Sequence, residues 1–241
     1  MSRYDAVWDY VLAQPGESLT LTFAEIEAIA GFPLDHAFLT YKKELLPRGW
    51  QVDHLSPKRQ TVRFSRLAAL ALLSPEARYA EQVMDYRREM LARGDSLDGC
   101  AGLEDCASYD EWADFERRLK ARYGAGYVPS EVFLAVRPQD DRLVGLLDFR
   151  HPLSDFLLRY GGNIGYSVRP DERRKGYATQ MLRLALPICR ARGATRVLVT
   201  CDRANEASRR VILSNGGVLE NEVPDLPGLG TGVIQRYWID L

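Results

Sequence analysis

The stretch Asn163–Ala178, NIGYSVRPDERRKGYA, places an apolar strand, a basic turn and the start of a helix in immediate succession. Ile164–Val168 has the composition of a buried strand, Arg169 and Pro170 follow it, and Gly176 opens a long amphipathic segment. The N-terminus of a helix has several N–H groups without partners inside the helix and carries roughly half a positive charge. The stretch therefore predicts a site for a phosphate or pyrophosphate group where the strand meets the helix.

The overall charge and the cysteine spacing exclude several classes of partner. The chain has 241 residues and a formal net charge of −1, so its charge gives no reason to expect nucleic acid or an anionic membrane as a partner. The first residues lack the apolar core of a signal peptide, and no apolar run is long enough to span a membrane. The cysteines follow no metal-ligand spacing (Cys100, Cys106, Cys189, Cys201). We therefore expect a cytoplasmic protein with reduced cysteines and no metal.

Residues 1–66 form the first predicted domain. An amphipathic helix is followed by an extended segment or lead-in, and Thr22 and Glu25 then have the spacing of a capping box at the start of another helix. Alternating residues at 50–53 and 61–64 predict a β-hairpin. Helices followed by a hairpin predict a small α+β domain of the winged-helix type. Its 8 Lys or Arg and 8 Asp or Glu residues balance, which argues against a nucleic-acid partner.

The segments WDYVLAQPGESLTLTFAEIEAIAG and VRFSR within residues 1–66 resemble a small bacterial domain of unknown function. That domain occurs alone or fused to other modules. Its usual Trp-rich insert is missing here, because the middle of the segment is short. The resemblance implies no particular activity.

Residues 67–241 form the second predicted domain, which contains a mixed α/β sheet. Its elements follow in the order β-α-α-β-β-β-α-β-α-β-β, from a first apolar strand at 67–73 to a closing strand at 232–241. Two helices are predicted near its start, at Glu76–Ala92 and Tyr109–Tyr123. Two long segments are predicted as loops, at Asp95–Ser108 and Pro224–Gly232.

The turn before Gly176 differs from two common phosphate-binding motifs. The sequence contains neither G-x-x-x-x-G-K-[ST] nor G-x-G-x-x-G. It fits [QR]-x-x-G-x-[GA] instead, and the small residues Gly176 and Ala178 let the backbone approach a ligand closely. Backbone N–H groups here can surround two phosphates, and basic side chains add charge. The residues predicted to hold the anion are Arg173, Arg174, Lys175, Gly176, Tyr177 and Ala178.

The segments IGYSVRPDERRKGYATQMLRLAL and VLVTCDRANEASRRVILSNGG resemble one bacterial subgroup of the GNAT superfamily of N-acetyltransferases. The order of elements matches that family from residue 67 to 241, which implies a GNAT-like twisted sheet flanked by helices. The resemblance implies that Arg173–Ala178 hold the pyrophosphate of acetyl-CoA. It also implies that backbone groups of Ser167 and Val168, together with Asn205, bind the pantetheine arm.

The chain departs from the family at the residue that often serves as the general acid. Many members have a Tyr seven residues after the Asn that corresponds to Asn205, and that Tyr protonates the thiolate of CoA. This chain has Ile212 there, so the acid is another group, solvent or none. The subgroup often has a His at the position of Asn163, so the resemblance gives Asn163 no assigned role.

Several residues near the motif are candidates for catalysis. His151 is the first candidate for the general base, although a surface histidine is an equally simple interpretation. Tyr166 is a candidate for lining the acceptor cleft, and core packing is its alternative. Asn163 either orients the acceptor or forms a turn. Cys201 lacks an obvious base partner for a nucleophilic role, and Asp202 is better explained as the cap of the next helix.

The sequence thus predicts an acetyltransferase that moves an acetyl group from acetyl-CoA to an amine by direct attack. The acceptor is a small-molecule or protein amine, the sequence does not say which, and a homodimer is compatible with it. The alternative hypothesis is a regulator that senses acyl-CoA without catalysis, with residues 1–66 recognising a partner or nucleic acid. The absence of the usual Tyr at Ile212 is the reason to keep that alternative.

Overall fold

The computed structural model describes residues 2–67, 69–121, 128–224 and 232–241. The chain divides into two compact units, Met1–Ala68 and Ala69–Leu241, and each is described by itself. Most of the predicted loop Pro224–Gly232 and the end of the predicted helix Tyr109–Tyr123 lie outside the described residues. In the part of the chain that is described, no helix combines the length and apolarity needed to cross a membrane.

The Met1–Ala68 unit consists of short helices and a three-stranded antiparallel sheet. The helices are α1 (Asp5–Leu12), α2 (Phe23–Ala30), α3 (Phe38–Tyr41) and a 3-10 helix at Lys42–Arg48. The strands are β1 (Ser18–Thr22), β2 (Trp50–Ser56) and β3 (Thr61–Arg66), in the spatial order β1-β3-β2. The predicted hairpin and helices are confirmed, and the extended segment before α2 joins the sheet by pairing with β3.

Aromatic side chains fill the core of this unit. Tyr4, the N-cap of α1, and Trp8 within α1 lie against Phe38 from α3, with ring centroids 5.4–5.8 Å apart. The Trp8 indole N–H donates to Glu44 at 2.9 Å, so the buried ring keeps a polar partner. Trp50 from β2 is also buried, which ties the hairpin to the helices.

The predicted capping box at the start of α2 is confirmed. The Glu25 N–H donates to Thr22 Oγ1 at 3.2 Å, and the Thr22 N–H donates to Glu25 Oε2 at 2.7 Å. These two bonds satisfy two of the N–H groups that a helix start leaves without partners. The helix ends at Gly31 in the left-handed conformation, as the sequence suggests for a glycine C-cap.

In the Ala69–Leu241 unit the order of elements is the predicted one. The helices are α4 (Ala80–Ala92), α5 (Tyr109–Lys120), α6 (Tyr177–Ala191) and α7 (Glu206–Ser214). The strands are β4 (Ala71–Leu73), β5 (Ser130–Arg137), β6 (Arg142–Arg150), β7 (Ile164–Val168), β8 (Arg196–Asp202), β9 (Val218–Pro224) and β10 (Val233–Asp240). The prediction of a mixed α/β fold is confirmed.

The first strand of this unit is shorter than predicted. Only Ala71–Leu73 pairs with β5, whereas the sequence suggested a strand over 67–73. The Leu67 N–H donates to the Gly49 carbonyl at 2.8 Å, so this residue belongs by its hydrogen bond to the first unit. An apolar run alone does not tell where one core ends and another begins.

The strands form two antiparallel sheets that separate next to β7, the strand that leads into the predicted anion-binding turn (called the motif strand below). One sheet has the order β4-β5-β6-β7 and the other the order β8-β10-β9. Within the described strands, β7 pairs with β6 and β8 pairs with β10, and no ladder joins β7 to β8. Helices α4 and α5 cover one face of the first sheet through a core that includes Tyr86 and Trp112. The sheet therefore opens between β7 and β8, where both edges are available to a ligand.

Asn163 joins the two sheets at the closed end of this opening. Its side-chain Nδ2 donates to the Arg150 carbonyl at 2.8 Å, and its Oδ1 accepts from the Leu198 N–H at 2.8 Å. Its backbone N–H donates to the Leu198 carbonyl at 2.7 Å, and its carbonyl accepts from the Arg150 N–H at 2.8 Å. The residue is 3% exposed. One asparagine thus continues the pairing of β7 with β6 and, in place of a ladder, links it to β8 at the point where the strands diverge.

We predict that Thr22→Ala lowers the free energy of unfolding by about 1 kcal/mol, because the capping bond to Glu25 is lost. Urea denaturation of the whole chain measures the change. Thr22→Ser keeps the hydroxyl and serves as the control. Equal stability of the Ala and Ser variants would contradict a capping role.

We predict that Asn163→Ala costs about 3 kcal/mol, because the Leu198 N–H and the Arg150 carbonyl both lose a buried partner. Urea denaturation of the whole chain again gives the value. Asn221→Ala, the same truncation on the exposed strand β9, should change stability by less than about 0.5 kcal/mol. If the two variants are alike, Asn163 does not hold the sheets together.

Candidate functional site

The turn between β7 and α6 has the geometry of an anion site. After the 3-10 turn at Pro170–Glu172, Arg174 and Gly176 both have positive φ angles, 63° and 80°. Gly176 is the N-cap of α6, a helix of 15 residues. The first N–H groups of such a helix lack partners inside it and favour a negative group. A glycine takes the left-handed conformation without a steric penalty, which explains the residue at this position.

The structure engages two of the three basic side chains of this turn in ion pairs. The Arg173 guanidinium donates to the Val168 carbonyl at 3.0 Å and to Asp95 at 2.9 Å. Lys175 pairs with Glu172 at 2.8 Å. The bond from Arg173 holds the pKa of Asp95 below its usual value. Arg174 is exposed, so of the three its charge is the most accessible to a ligand.

Tyr177 and Ala178 form the first turn of α6. The Tyr177 ring is buried, and its hydroxyl accepts from Arg137 at 2.9 Å. Its side chain therefore anchors the helix start to β5, and only its backbone is left for a ligand. Ala178 is half-buried directly after it. The roles of Arg173–Ala178 in pyrophosphate binding stay predictions.

The segment after α4 lies directly on the motif strand β7. The Ser167 hydroxyl donates to the Asp98 carbonyl at 2.5 Å and accepts from the Tyr86 hydroxyl at 2.8 Å. A Cβ on Gly99 would lie 2.5 Å from the Gly165 carbonyl oxygen, so only glycine allows this approach. Burial raises the pKa of Tyr86 well above its usual value, so the phenol stays protonated and keeps its bond to Ser167. The predicted loop Asp95–Ser108 is therefore fixed against β7.

A pair of hydroxyl groups spans the opening between β7 and the helix that follows β8. The Tyr166 hydroxyl, on β7, lies 2.8 Å from the Ser208 hydroxyl on α7. Ser208 also hydrogen-bonds with the Cys201 thiol at the end of β8. Burial raises the pKa of Tyr166, and the bond to Ser208 only partly offsets this effect. The phenol is consequently a hydrogen-bond donor or acceptor at neutral pH and not an acceptor of a full proton.

Cys201 has the environment of a structural thiol. It is buried, and burial raises the pKa of its thiol to about 11. A thiolate is the reactive form, so this cysteine is a poor nucleophile near neutral pH. The prediction that Cys201 does not carry the acyl group agrees with this environment.

The residues at the start of α7 differ in part from the prediction. Asn205 is the N-cap, and its side-chain oxygen accepts from the Ser208 N–H at 3.0 Å. Asp202, which the sequence suggested as the cap, instead accepts from the Ala204 N–H at 2.7 Å in the turn before the helix. Asp202 lies too early in the turn to reach the first N–H groups of α7. The contact of Asn205 with pantetheine stays a prediction.

His151 lies at the end of β6 and is exposed. Its ring stacks on Phe149, with centroids 5.8 Å apart, and its N–H donates to the Pro129 carbonyl. Within the described residues, no hydrogen bond or ring contact joins His151 to Tyr166 or Ser208. The structure thus brings Tyr166 and Ser208 together and does not bring His151 to them, and its role as base stays a prediction.

Sequence reasoning missed Ser208 and the structural role of Asn163. Ser208 stands three residues after Asn205, so both belong to the first turn of one helix, which was the available signal. Ile212 stands one helical turn later, is fully buried and packs against Gly217. Nothing in the sequence around Asn163 could show that its partners are Arg150 and Leu198, since Leu198 is 35 residues away.

Comparison with known proteins agrees with this geometry. The sequence profile described as "Acetyltransferase (GNAT) domain" matches residues 104–218. No curated protein sequence matched the chain. Three solved structures share the fold over 71% of this chain. They are the RimL ribosomal L7/L12 alpha-N-protein acetyltransferase with coenzyme A, the microcin C7 self-immunity acetyltransferase MccE with acetyl-CoA and AMP, and the spermidine N-acetyltransferase from Vibrio cholerae with CoA and spermine.

The similarity to these structures is one of fold. RimL is 18% identical, has a TM-score of 0.54 and is covered over 94% of its length. MccE is 16% identical, with a TM-score of 0.53 and 92% coverage. The spermidine acetyltransferase is 15% identical, with a TM-score of 0.51 and 95% coverage. The profile match confirms the predicted family for residues 104–218, which form an acetyltransferase domain of the GNAT family, and the solved structures agree with it in fold.

Proposed function

We propose that the Ala69–Leu241 unit transfers the acetyl group of acetyl-CoA to the nitrogen of an amine by direct attack. The observation that carries the proposal is the opening between β7 and β8, which stands next to the anion-binding turn at Arg173–Ala178. An extended pantetheine arm can add to a free strand edge while its pyrophosphate reaches the helix start. The family match supports the same reaction.

The donor is held mainly by backbone groups. We assign the pyrophosphate to the N–H groups between Arg173 and Ala178, with the exposed Arg174 as the accessible charge. We assign the pantetheine arm to the free edge of β7 at Val168 and to Asn205, whereas the backbone groups of Ser167 face Leu146 on β6 and leave it only a supporting role in this assignment. The Val168 carbonyl already accepts from Arg173, so the arm has the remaining backbone groups of this edge. An N–H of β7 within the opening stabilises the oxyanion that forms on the acetyl carbonyl.

Ser208 and Tyr166 stabilise the leaving group. Attack of a neutral amine on the thioester forms a tetrahedral intermediate, and its collapse breaks the C–S bond and releases the CoA thiolate. The proton lost by the amine finally rests on that thiolate. A thiol has a pKa of about 8.5, far below that of a serine hydroxyl, so Ser208 donates a hydrogen bond and not its proton. Tyr166 orients the Ser208 hydroxyl at 2.8 Å.

His151 is the proposed acceptor of the proton from the amine. Most alkyl amines are protonated at pH 7, so a base or a water relay must deliver the neutral form. His151 is exposed at the end of β6 and is therefore open to solvent exchange. Since it makes no described contact with Tyr166 or Ser208, the proton transfer uses a water relay.

The acceptor is a small-molecule or protein amine. The structural relatives act on both kinds, because one is named for a ribosomal protein and another for spermidine. We include a cytoplasmic location in this proposal, because the four cysteines are free. We include a bacterial source because of the sequence resemblance. A homodimer is compatible with it. The Met1–Ala68 unit is proposed as a separate domain of the winged-helix type.

The second candidate function is an acyl-CoA sensor without catalysis. It rests on Ile212, which is buried against Gly217 and leaves no hydroxyl at the position where the family often has its general acid. The two candidates differ in one measurement. An enzyme releases free CoA thiol when acetyl-CoA is incubated with a panel of amines, and a sensor binds acetyl-CoA without releasing thiol.

We predict that titration calorimetry detects one acetyl-CoA site and that Gly176→Val weakens it at least tenfold. Valine is strained at the φ of 80° and obstructs the helix start. Gly193→Val is the matched control, because Gly193 ends the same helix at a φ of 92° with open space around it. No binding to the unaltered protein, or equal loss in both variants, would overturn the proposed donor site.

We predict that Ser208→Ala lowers kcat roughly tenfold or more and leaves the KM for acetyl-CoA within about twofold. A hydrogen bond to a developing charge contributes about 1.5–3 kcal/mol, and about 1.4 kcal/mol corresponds to a tenfold change in rate. Steady-state thiol release with an accepted amine measures both constants. Ser214→Ala, at the exposed end of the same helix, is the control. An unchanged kcat would exclude Ser208 from leaving-group stabilisation.

A further inference from the structure

We propose that Glu172 is a positioning residue that fixes the phosphate-binding turn through the ion pairs around its buried carboxylate. The proposal rests on the proposed function, because it concerns the same turn. Glu172 comes directly before Arg173, in a stretch where Asp171, Arg174 and Lys175 are exposed. The Glu172 residue is nevertheless only 4% exposed. A carboxylate is buried at a ligand-binding turn only when cations compensate its loss of water.

Three cations surround the Glu172 carboxylate. Arg137 contacts both of its oxygens, at 3.0 and 3.2 Å. Arg142 lies 2.9 Å from Oε1 and Lys175 lies 2.8 Å from Oε2. Burial acts to raise the pKa of Glu172, but the bonds from Lys175 and Arg137 outweigh it and hold the pKa below its usual value. The carboxylate is therefore charged at neutral pH.

Arg137 contacts the residues at both ends of the turn. The same guanidinium that contacts Glu172 also donates to the Tyr177 hydroxyl at 2.9 Å. Glu172 precedes the turn and Tyr177 is the first residue of α6, so one side chain at the end of β5 bridges its two ends. Asp140 binds Arg137 in turn at 2.7 and 2.8 Å, which fixes the direction of the guanidinium.

The residues between these two anchors carry the strained backbone of the site. Arg174 and Gly176 have positive φ angles. In Arg174 this conformation costs free energy, because its Cβ atom comes close to the backbone. Such conformations persist when the surrounding contacts hold them in place. The cluster around Glu172 supplies those contacts. It aims the N–H groups of the turn before a phosphate arrives, which reduces the ordering cost of binding.

Simple electrostatics and positioning predict opposite results for the loss of this carboxylate. A negative group near a phosphate site repels the phosphate, so removing its charge should tighten binding if charge alone matters. If Glu172 positions the turn, its removal leaves three cations to repel one another and the turn loses its fixed shape, so binding weakens. The sign of the change in affinity therefore decides between the two.

The test compares Glu172→Gln with Asp171→Asn by calorimetric titration of the full chain with CoA. Both variants remove one negative charge from adjacent residues, but Asp171 is exposed and contacts Arg142 alone among the three cations. We expect Glu172→Gln to weaken CoA binding about tenfold and Asp171→Asn to bind as the unaltered protein does. Equal or tighter binding by Glu172→Gln would overturn the proposal. If the unaltered protein binds no CoA, the donor site itself fails, which is a separate outcome.

A second measurement separates positioning from general damage. Binding of S-acetylpantetheine, which has no phosphate, is followed by NMR titration in the same variants. We expect Glu172→Gln to leave this affinity unchanged, because the phosphate-binding turn is not used. An equal loss for CoA and S-acetylpantetheine would assign Glu172 a merely structural role. Arg137→Lys keeps the charge and loses the forked contacts, so it should reproduce the selective loss for CoA.

Discussion

The four hydrogen bonds of Asn163 are the interaction on which the opening of the sheet depends. Two of them reach Arg150 on β6 and two reach Leu198 on β8, so the two sheets meet at this residue and separate beyond it. Farther along β7, Tyr166 reaches α7 instead of β8. Beyond Asn163, the edge of β7 that ends at Val168 has no ladder to β8, so an extended ligand can pair there. A continuous ladder from β7 to β8 would leave no such edges.

The turn proposed to bind the anion, next to this opening, is held in place by internal ion pairs. Arg173 is bound to Asp95 and to the Val168 carbonyl, and Lys175 is paired with Glu172. Two of the three basic side chains therefore stabilise the turn itself. What remains for a ligand is a row of backbone N–H groups, the helix start and Arg174. Binding by backbone N–H groups costs less entropy than binding by side chains. The N–H groups are already fixed in direction, whereas free lysine and arginine side chains must be ordered when the ligand binds.

The sequence predicted the features that depend on interactions between residues close together in the chain. The capping box at Thr22, the glycine at Gly176 and the order of strands and helices in the second unit follow from hydrogen bonds and periodicity within short segments. The pairing of β1 with β3, the partners of Asn163 and the contact between Tyr166 and Ser208 join residues that are distant in sequence. One sequence does not encode such pairs in any readable spacing, so they were missed or left open.

The replacement of the usual tyrosine by Ile212 need not remove a hydroxyl from the leaving group. Residues four apart on a helix share one face, so Ser208 and Ile212 lie on the same side of α7, one turn apart. On that side, Ile212 packs against Gly217, and Ser208, one turn nearer the helix start, lies next to the Tyr166 hydroxyl. In the proposed reaction, the hydroxyl that stabilises the leaving group comes from Ser208 near the helix start, and Tyr166 on β7 supports it. This proposed site therefore takes its reacting hydroxyl from α7 and its aromatic ring from β7, where many family members take both from one tyrosine.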